Sequence, residues 1–519
     1  MFSPLLPKLH KFCVILRPLN QFIIVENKER MLFNSIEFLA FLPIVFILYW
    51  FVSSKREWQN SLVVVASYIF YGWWDWRFLL LIAFTSLCSY LSGLLLSRYE
   101  GRRRAQQAVS AGNIIINLAI LCVFKYYNFF VENLDALLGG LMGIHLDWVT
   151  RDIILPVGIS FYTFQALSYT IDVYQHRLRP TRGIIEFFAY ISFFPQLVAG
   201  PIERATNLLP QFQRARRFDE CQAIDGLRQM LWGFFKKMVI ADNCAVAVNK
   251  IWAGYADETG LVLLVGAILF TFQIYCDFSG YSDIAIGCAR LFGIRLMRNF
   301  DYPYFSRSIP EFWRRWHISL TTWLRDYIYF PLGGSRCNMR KVIRNLFIVW
   351  AVSGLWHGAN WTFVCWGLYH GTLLAIYRLA GFNTKHDAVV ARGRLLPSVK
   401  ELWQMCYTFA LAVIGWIIFR AESLSDALRY LQGMCSRSIL DFSDSMARLG
   451  GLDFSKTAMA IGVMLVCEWL QRDKQHALQF SDGGFVGRHA VVRYAIYFVL
   501  IMATMTFAGS QSEFIYFQF

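Results

Sequence analysis

Two histidines in this chain have surroundings in which an imidazole could do chemistry. His317 lies in Phe312-Trp-Arg-Arg-Trp-His-Ile-Ser-Leu320, and His357, forty residues on, in Gly354-Leu-Trp-His-Gly-Ala-Asn-Trp361. Both stretches are apolar and rich in tryptophan. An ionisable group at membrane depth is costly enough to point to function. Imidazole changes between base and acid near neutrality. It could take the proton of a hydroxyl nucleophile, as acyl transfer requires, or relay protons in a transporter. The plainer readings are an interfacial anchor for His317 and an inter-helix hydrogen bond for His357. His370, in Trp366-Gly-Leu-Tyr-His-Gly371, is a candidate support for the pair. Other chemistries lack their motifs: there is no phosphate loop, nucleophile elbow or zinc helix. No metal site is expected, because the twelve cysteines include no C-x-x-C pair and read as small buried hydrophobes.

The elements that must position these residues are partly readable. Ser308-Ile-Pro-Glu311 has the form of a capping box with proline in the first turn. It predicts one amphipathic helix whose apolar stripe runs through Trp313, Trp316, Leu320, Trp323, Leu324 and Tyr327, with His317 on it. Arg314 and Arg315, on the opposite face, read as snorkelling anchors. His357 falls near the middle of an apolar run at 347–364, where Gly354, Gly358 and Ala359 allow close helix approach and room for a channel. Asp277 and Asp283, beside another apolar run, read as structural. The basic group Arg336, Arg340, Lys341 and Arg344 could meet coenzyme A phosphates, or be an ordinary cytoplasmic loop.

Bulk composition sets the setting. Of 519 residues 56% are hydrophobic and 16% charged, too few charges for a soluble protein of this length. Repeated long apolar runs argue for one polytopic membrane body. The net charge of +15 is what cytoplasmic loops rich in Lys and Arg produce, and nucleic acid is not an expected partner. Helices are predicted near 36–52, 60–73, 77–96, 112–131 and 153–174, less regular apolar runs near 185–199, 227–251, 260–276 and 281–293, and further spans near 345–364, 366–380, 402–420, 455–470 and 490–508. Loop charges alternate: Lys55-Arg56, Arg98 with Arg102-Arg103-Arg104, and Arg177, Arg179 and Arg182 read as inside, while 132–152 reads as outside. Residues 1–30 read as an N-terminal extension ahead of a start at Met31. A single membrane domain is expected over 31–519, with its functional core at about 190–375. The broken runs there suggest re-entrant backbone lining a cavity.

The ordered motifs resemble the membrane-bound O-acyltransferase family, in its bacterial polysaccharide-acetylation branch. They are Ala66-Ser-Tyr-Ile-Phe-Tyr-Gly-Trp-Trp74, Leu155-Pro-Val-Gly-Ile-Ser-Phe-Tyr162, Ala199-Gly-Pro-Ile-Glu-Arg204, Asp277-Phe-Ser-Gly-Tyr-Ser-Asp283, the two histidine segments, and Phe514-Ile-Tyr-Phe-Gln-Phe519. The resemblance implies an all-α fold of roughly 10–12 transmembrane helices in a ring around a central funnel, with re-entrant or interfacial helices. It implies His357 and His317 as catalytic residues, with Trp313, Trp316, Trp356 and His370 shaping or supporting a dry channel. It also implies no bound cofactor, a cytoplasmic acyl thioester such as acetyl-CoA as donor, and a separate extracytoplasmic SGNH-type partner. It implies further that membrane lipids surround the body, that it sits in a bacterial inner membrane, and that the product is an O-acetylated exported polysaccharide such as alginate. Two other classes compete with this reading: a proton-coupled transporter or flippase, which internal pseudo-symmetry would favour and no repeat supports, and a synthase or scaffold subunit, which leaves the histidines unexplained.

Overall fold

The computed structural model describes residues 31–51, 55–142, 153–197, 200–382, 389–452, 454–481, 483–509, 512 and 514–515. The expectation about residues 1–30 lies outside them. Among the described residues the protein is helical throughout, with no strand.

The first part of the chain comprises α1 (Ile36–Phe51), α2 (Arg56–Asp75), α3 (Arg77–Arg98), α4 (Arg103–Leu121) and α5 (Tyr127–Met142). In α1 the buried side chains Phe38, Leu42, Val45 and Tyr49 recur at helical spacing and face the body. Ile36, Leu39, Ile44 and Ile47 remain exposed, as lipid contact allows. A π-helical turn at Cys122–Tyr126 joins α4 to α5, so the predicted span at 112–131 is the middle of a longer helical stretch at 103–142. Next comes α6 (Ile159–Tyr174), opened by Gly158 in the left-handed region at φ +71° and buried on nearly every side. Two shorter helices, α7 (Ile184–Ser192) and α8 (Ala205–Phe212), follow it.

The centre of the body is a crossing of two long helices. α9 (Glu220–Phe234), a π-helical segment Phe235–Ala241 and α10 (Asp242–Ala253) run on from one another and pack against α11 (Gly260–Leu291). Gly226 faces Gly287 and Gly233 faces Gly280 so closely that a Cβ on any of the four would come within 2.4–2.9 Å of its partner's carbonyl oxygen. Small residues permit this backbone contact. The two predicted runs at 260–276 and 281–293 are one helix of 32 residues. The acidic residues that suggested an interruption are neutralised inside it: Asp277 meets Lys237 Nζ at 2.8 Å and Asp283 meets Lys236 Nζ at 2.6 Å.

The remainder comprises α12 (Ile309–Arg315), α13 (Ile318–Leu324), α14 (Met339–His357), α15 (Trp361–Leu379), α16 (Val399–Arg420), α17 (Leu424–Met434), α18 (Phe442–Gly450), α19 (Ser455–Leu470) and α20 (Ala490–Thr506). By length and composition α3, the 103–142 stretch, α11 and α16 can each cross a membrane, and the bent pair α18–α19 adds one further candidate. α1 and α20 are apolar but shorter. The architecture is that of a polytopic membrane protein.

Candidate active site

The helix expected to carry His317 is broken at that residue. α12 ends at Arg315, Trp316 is extended, and His317 is left-handed (φ +44°, ψ +53°) before α13 begins. Local sequence favours a helix here, and a tertiary contact overrides it. Asn299, fully buried on the 293–302 connection, accepts the Ile318 N–H with its backbone oxygen (2.9 Å), while Arg315 O accepts the Asp301 N–H (2.9 Å). These bonds replace those a continuous helix would make. Ser308 caps α12 through Glu311 N (3.3 Å), but the box is half formed, because the Glu311 carboxylate turns to Arg307 N (2.9 Å) and to Arg315 (3.0 Å). Arg315 is therefore a buried ion-pair partner rather than the snorkelling anchor its position suggested.

The Asn299 side chain also orients the imidazole. Its Oδ1 accepts the Ser319 backbone N–H (3.4 Å) and hydroxyl (2.9 Å), and its Nδ2 donates to Ser282 Oγ (3.0 Å). A backbone N–H can only donate, so the amide oxygen faces this side. His317 Nδ1, 3.1 Å from that oxygen, then carries the proton of the neutral ring, and Nε2 is the basic nitrogen. Phe278 packs edge-on against the imidazole at 4.7 Å.

His357 is the last residue of α14, not the middle of a span. Gly358 is extended (φ −169°, ψ 159°), and Asn360 starts α15 by accepting the Thr362 N–H at 3.0 Å. The carbonyls freed at the end of α14 are held from another helix. Tyr126 Oη donates to Leu355 O (2.7 Å), and Lys125 Nζ donates to Trp356 O (2.7 Å) and His357 O (3.1 Å). An ammonium at a helix C-terminus is favoured by the helix dipole. α14 and α15 approach so closely that a Cβ on Gly354 would lie 2.3 Å from Phe363 O, and one on Gly367 2.1 Å from Trp350 O. The close approach expected of Gly354 is therefore present, but the space beside Gly358 is filled by the Phe363 ring.

The structure brings His317, His357 and His370 into one run of alternating imidazole and indole rings. Centroid separations are 5.8 Å from His317 to Trp356, 4.9 Å to His357, 4.8 Å to Trp366, 5.1 Å to His370 and 4.9 Å to Trp313. All three histidines are at most 3% exposed. His370 Nδ1 accepts the Trp313 indole N–H at 3.2 Å. Trp356 is walled by Phe161 and Phe164, each at 5.7 Å. Trp316 stands apart from this run: it packs on Trp416 (4.7 Å) and Phe300 (5.0 Å) and reaches His317 only through Phe300.

A family model matches residues 65–415 and is described as the membrane-bound O-acyltransferase family. The chain belongs to that family. Over 505 residues, 94% of this chain and the whole of the relative, it is 40% identical to the probable alginate O-acetylase AlgI of Pseudomonas putida. It is 42% identical over 436 residues to the protein of that name from Pseudomonas aeruginosa, covering 84% of this chain and 81% of the relative. The peptidoglycan O-acetyltransferase of Helicobacter pylori is 31% identical over 537 residues, covering 94% of this chain and 98% of the relative. The protein is accordingly a multi-pass membrane O-acyltransferase.

Residues in or near the other motifs tie neighbouring elements together. Tyr71 Oη donates to Val157 O (2.8 Å), Phe164 stacks on Trp323 (4.0 Å), and Arg204 pairs with Asp326 (2.5 Å). The Glu203 carboxylate accepts the Met297 N–H and the Asn207 amide, anchoring the connection that carries Asn299. Asp277 and Asp283 serve structure, as expected of them. Sequence reasoning passed over Asn299, Lys125 and Trp366. Lys125 had a signal, a lone cation inside an apolar run. Trp366 also had one, lying one helical turn before His370. Asn299, in an irregular segment, had none.

Proposed function

We propose that this protein takes an acetyl group from acetyl-CoA on the cytoplasmic side of the bacterial inner membrane and passes it through the membrane core to an acceptor on the outer side. The acceptor is a separate SGNH-type protein, which modifies an exported polysaccharide such as alginate. The names of the relatives support the class of product. The observation that carries the reading is that His317 and His357 are both buried and both packed on the Trp356 ring.

An open vestibule of about 620 Å³ bears Arg290, Arg295 and Arg298. It shares Ile286, Arg298 and Gln475 with a narrow polar chamber whose lining includes Asn299, the residue that holds His317. The vestibule lies beside Phe292, whose carbonyl accepts Tyr49 Oη at the end of α1. Lys55-Arg56 follow shortly after, and loop charge assigns that end to the cytoplasm. Arg290 is paired with Asp225 and Arg298 with Asp301, so Arg295 is the guanidinium placed to meet a phosphorylated donor.

In this reading the His357 imidazole takes the proton of the acceptor hydroxyl as its oxygen bonds to the thioester carbonyl carbon. The carbon–sulfur bond breaks, and the proton leaves with sulfur as free thiol. His317 orients the thioester and assists proton transfer through Nε2, while the indoles keep water out.

The test is transfer of radiolabelled acetyl from acetyl-CoA by the purified protein with its extracytoplasmic partner. The wild type releases free coenzyme A and labels the partner. His357→Ala and His317→Ala insert and purify normally but label nothing. Full labelling by His357→Ala overturns its role, and unchanged acetylation of the cell-surface glycan in a strain lacking the protein overturns the product assignment.

A further inference from the structure

A second large cavity lies away from the histidines and shares no lining residue with the vestibule. It is an open hollow of about 720 Å³ where the ends of α3 and α6 meet the following loops. Arg98, Arg179, Arg182 and His176 line it, against a single carboxylate, Glu100. Two other arginines of this part of the molecule are paired, Arg177 with Asp172 at 3.7 Å and Arg204 with Asp326 at 2.5 Å. Among the described residues, the side chains of Arg98, Arg179 and Arg182 have no hydrogen-bond or ionic partner. The cavity thus concentrates unneutralised positive charge.

Its other wall is apolar, formed by Leu94, Leu96, Val173 and Leu178. On α3, Leu87, Leu91 and Leu95 are 41%, 46% and 39% exposed. Their four-residue spacing puts them on one face, and Arg98 continues it. α3 has 22 residues, a rise of about 33 Å, so it crosses the hydrocarbon layer and leaves Arg98 at headgroup level. A greasy stripe ending in a cationic hollow matches a molecule with an acyl chain and a phosphate.

We propose that this cavity binds an anionic phospholipid of the cytoplasmic leaflet, with its phosphate between Arg98, Arg179 and Arg182 and an acyl chain along Leu87, Leu91 and Leu95. A soluble phosphate compound would engage the arginines but have no use for the stripe, and an acidic protein would leave it equally unoccupied.

Native mass spectrometry of the delipidated protein, titrated with phosphatidylglycerol or phosphatidylcholine, tests this. Selective retention of phosphatidylglycerol is expected. The Arg98→Gln/Arg179→Gln/Arg182→Gln variant should weaken it roughly 100-fold, the scale of three charges lost at a membrane surface. A control, Arg102→Gln/Arg103→Gln/Arg104→Gln, removes equal charge outside the cavity and should retain the lipid. In the wild type, a photoactivatable phosphatidylglycerol should crosslink to peptides at 87–98 and 176–182, which keeps the test independent of variant folding. Equal losses in both variants, crosslinks confined to other helices, or displacement of the lipid by inorganic phosphate or adenosine diphosphate at similar concentrations would each overturn the proposal.

Discussion

Two helix crossings, built alike and used differently, organise this molecule. α9 with α11 and α14 with α15 both rely on glycines whose Cβ would strike a facing carbonyl. At the first, ionisable groups are cancelled where they stand: Lys237 lies 2.8 Å from both Asp242 and Asp277, and Lys236 lies 2.6 Å from Asp283. At the second, the ionisable groups are imidazoles walled by indole and phenyl rings. Buried opposite charges bound to one another hold a shape. A neutral imidazole in an aromatic wall can exchange a proton with a group that arrives later. The contrast separates scaffold from candidate chemistry more clearly than burial, which is the same at both.

Substitutions can break that contrast. His357→Ala should lower acyl transfer by about 10²- to 10⁴-fold, the usual worth of a general base, with the thermal unfolding midpoint in detergent unchanged. Lys237→Met should do the reverse, destabilising by about 3–5 kcal/mol because it strands buried carboxylates. It would be read as loss of folded protein, with normal activity per surviving molecule. If Lys237→Met is stable and inactive, the division fails. Gly287→Val should cost about 1–3 kcal/mol by overpacking, seen in the same melting assay, without altering KM.

Smaller effects sharpen the comparison. Asn299→Leu should lower kcat roughly 10- to 100-fold, as loss of a ring-orienting partner does at other sites, and leave KM near its wild-type value. Asn299→Asp retains the acceptor oxygen and should recover much of the rate, with an altered pH–rate profile. Equal rates for the leucine and aspartate variants would reduce Asn299 to a packing role. Lys125→Gln should cost about 1 kcal/mol of helix-end stabilisation, and a few-fold change in initial rate would measure how far it reaches His357.

Element existence was largely readable. The predicted spans at 36–52, 77–96, 402–420 and 455–470 lie within a few residues of α1, α3, α16 and α19, because lipid-facing helices depend on apolar length alone. Breaks and continuities in the middle were not readable. Nothing local stops a helix at Trp316, and the local signal for an end at His357 is confined to Gly358 and the capping Asn360. Those ends exist because Asn299, Lys125 and Tyr126, distant in sequence, take over the backbone groups. Conversely, α11 runs through Asp277 and Asp283 because lysines on another segment neutralise them. The histidines could be singled out by type and surroundings, but their joining through Trp356 and Trp366 required the tertiary fold.

One contact bears on the order in which the molecule can be made. Asp277 accepts the backbone N–H of Ile515 at 2.7 Å, across 238 positions of chain, and Phe514 packs on Tyr281 at 4.4 Å. The ionic cluster at the centre is synthesised long before the segment that completes it. During translation the α9–α11 pair must wait in the bilayer with one carboxylate oxygen unserved. Completion of the cluster therefore waits for the docking of Phe514 and Ile515, so Ile515→Pro, which removes the donor, should reduce the yield of assembled protein before it touches turnover.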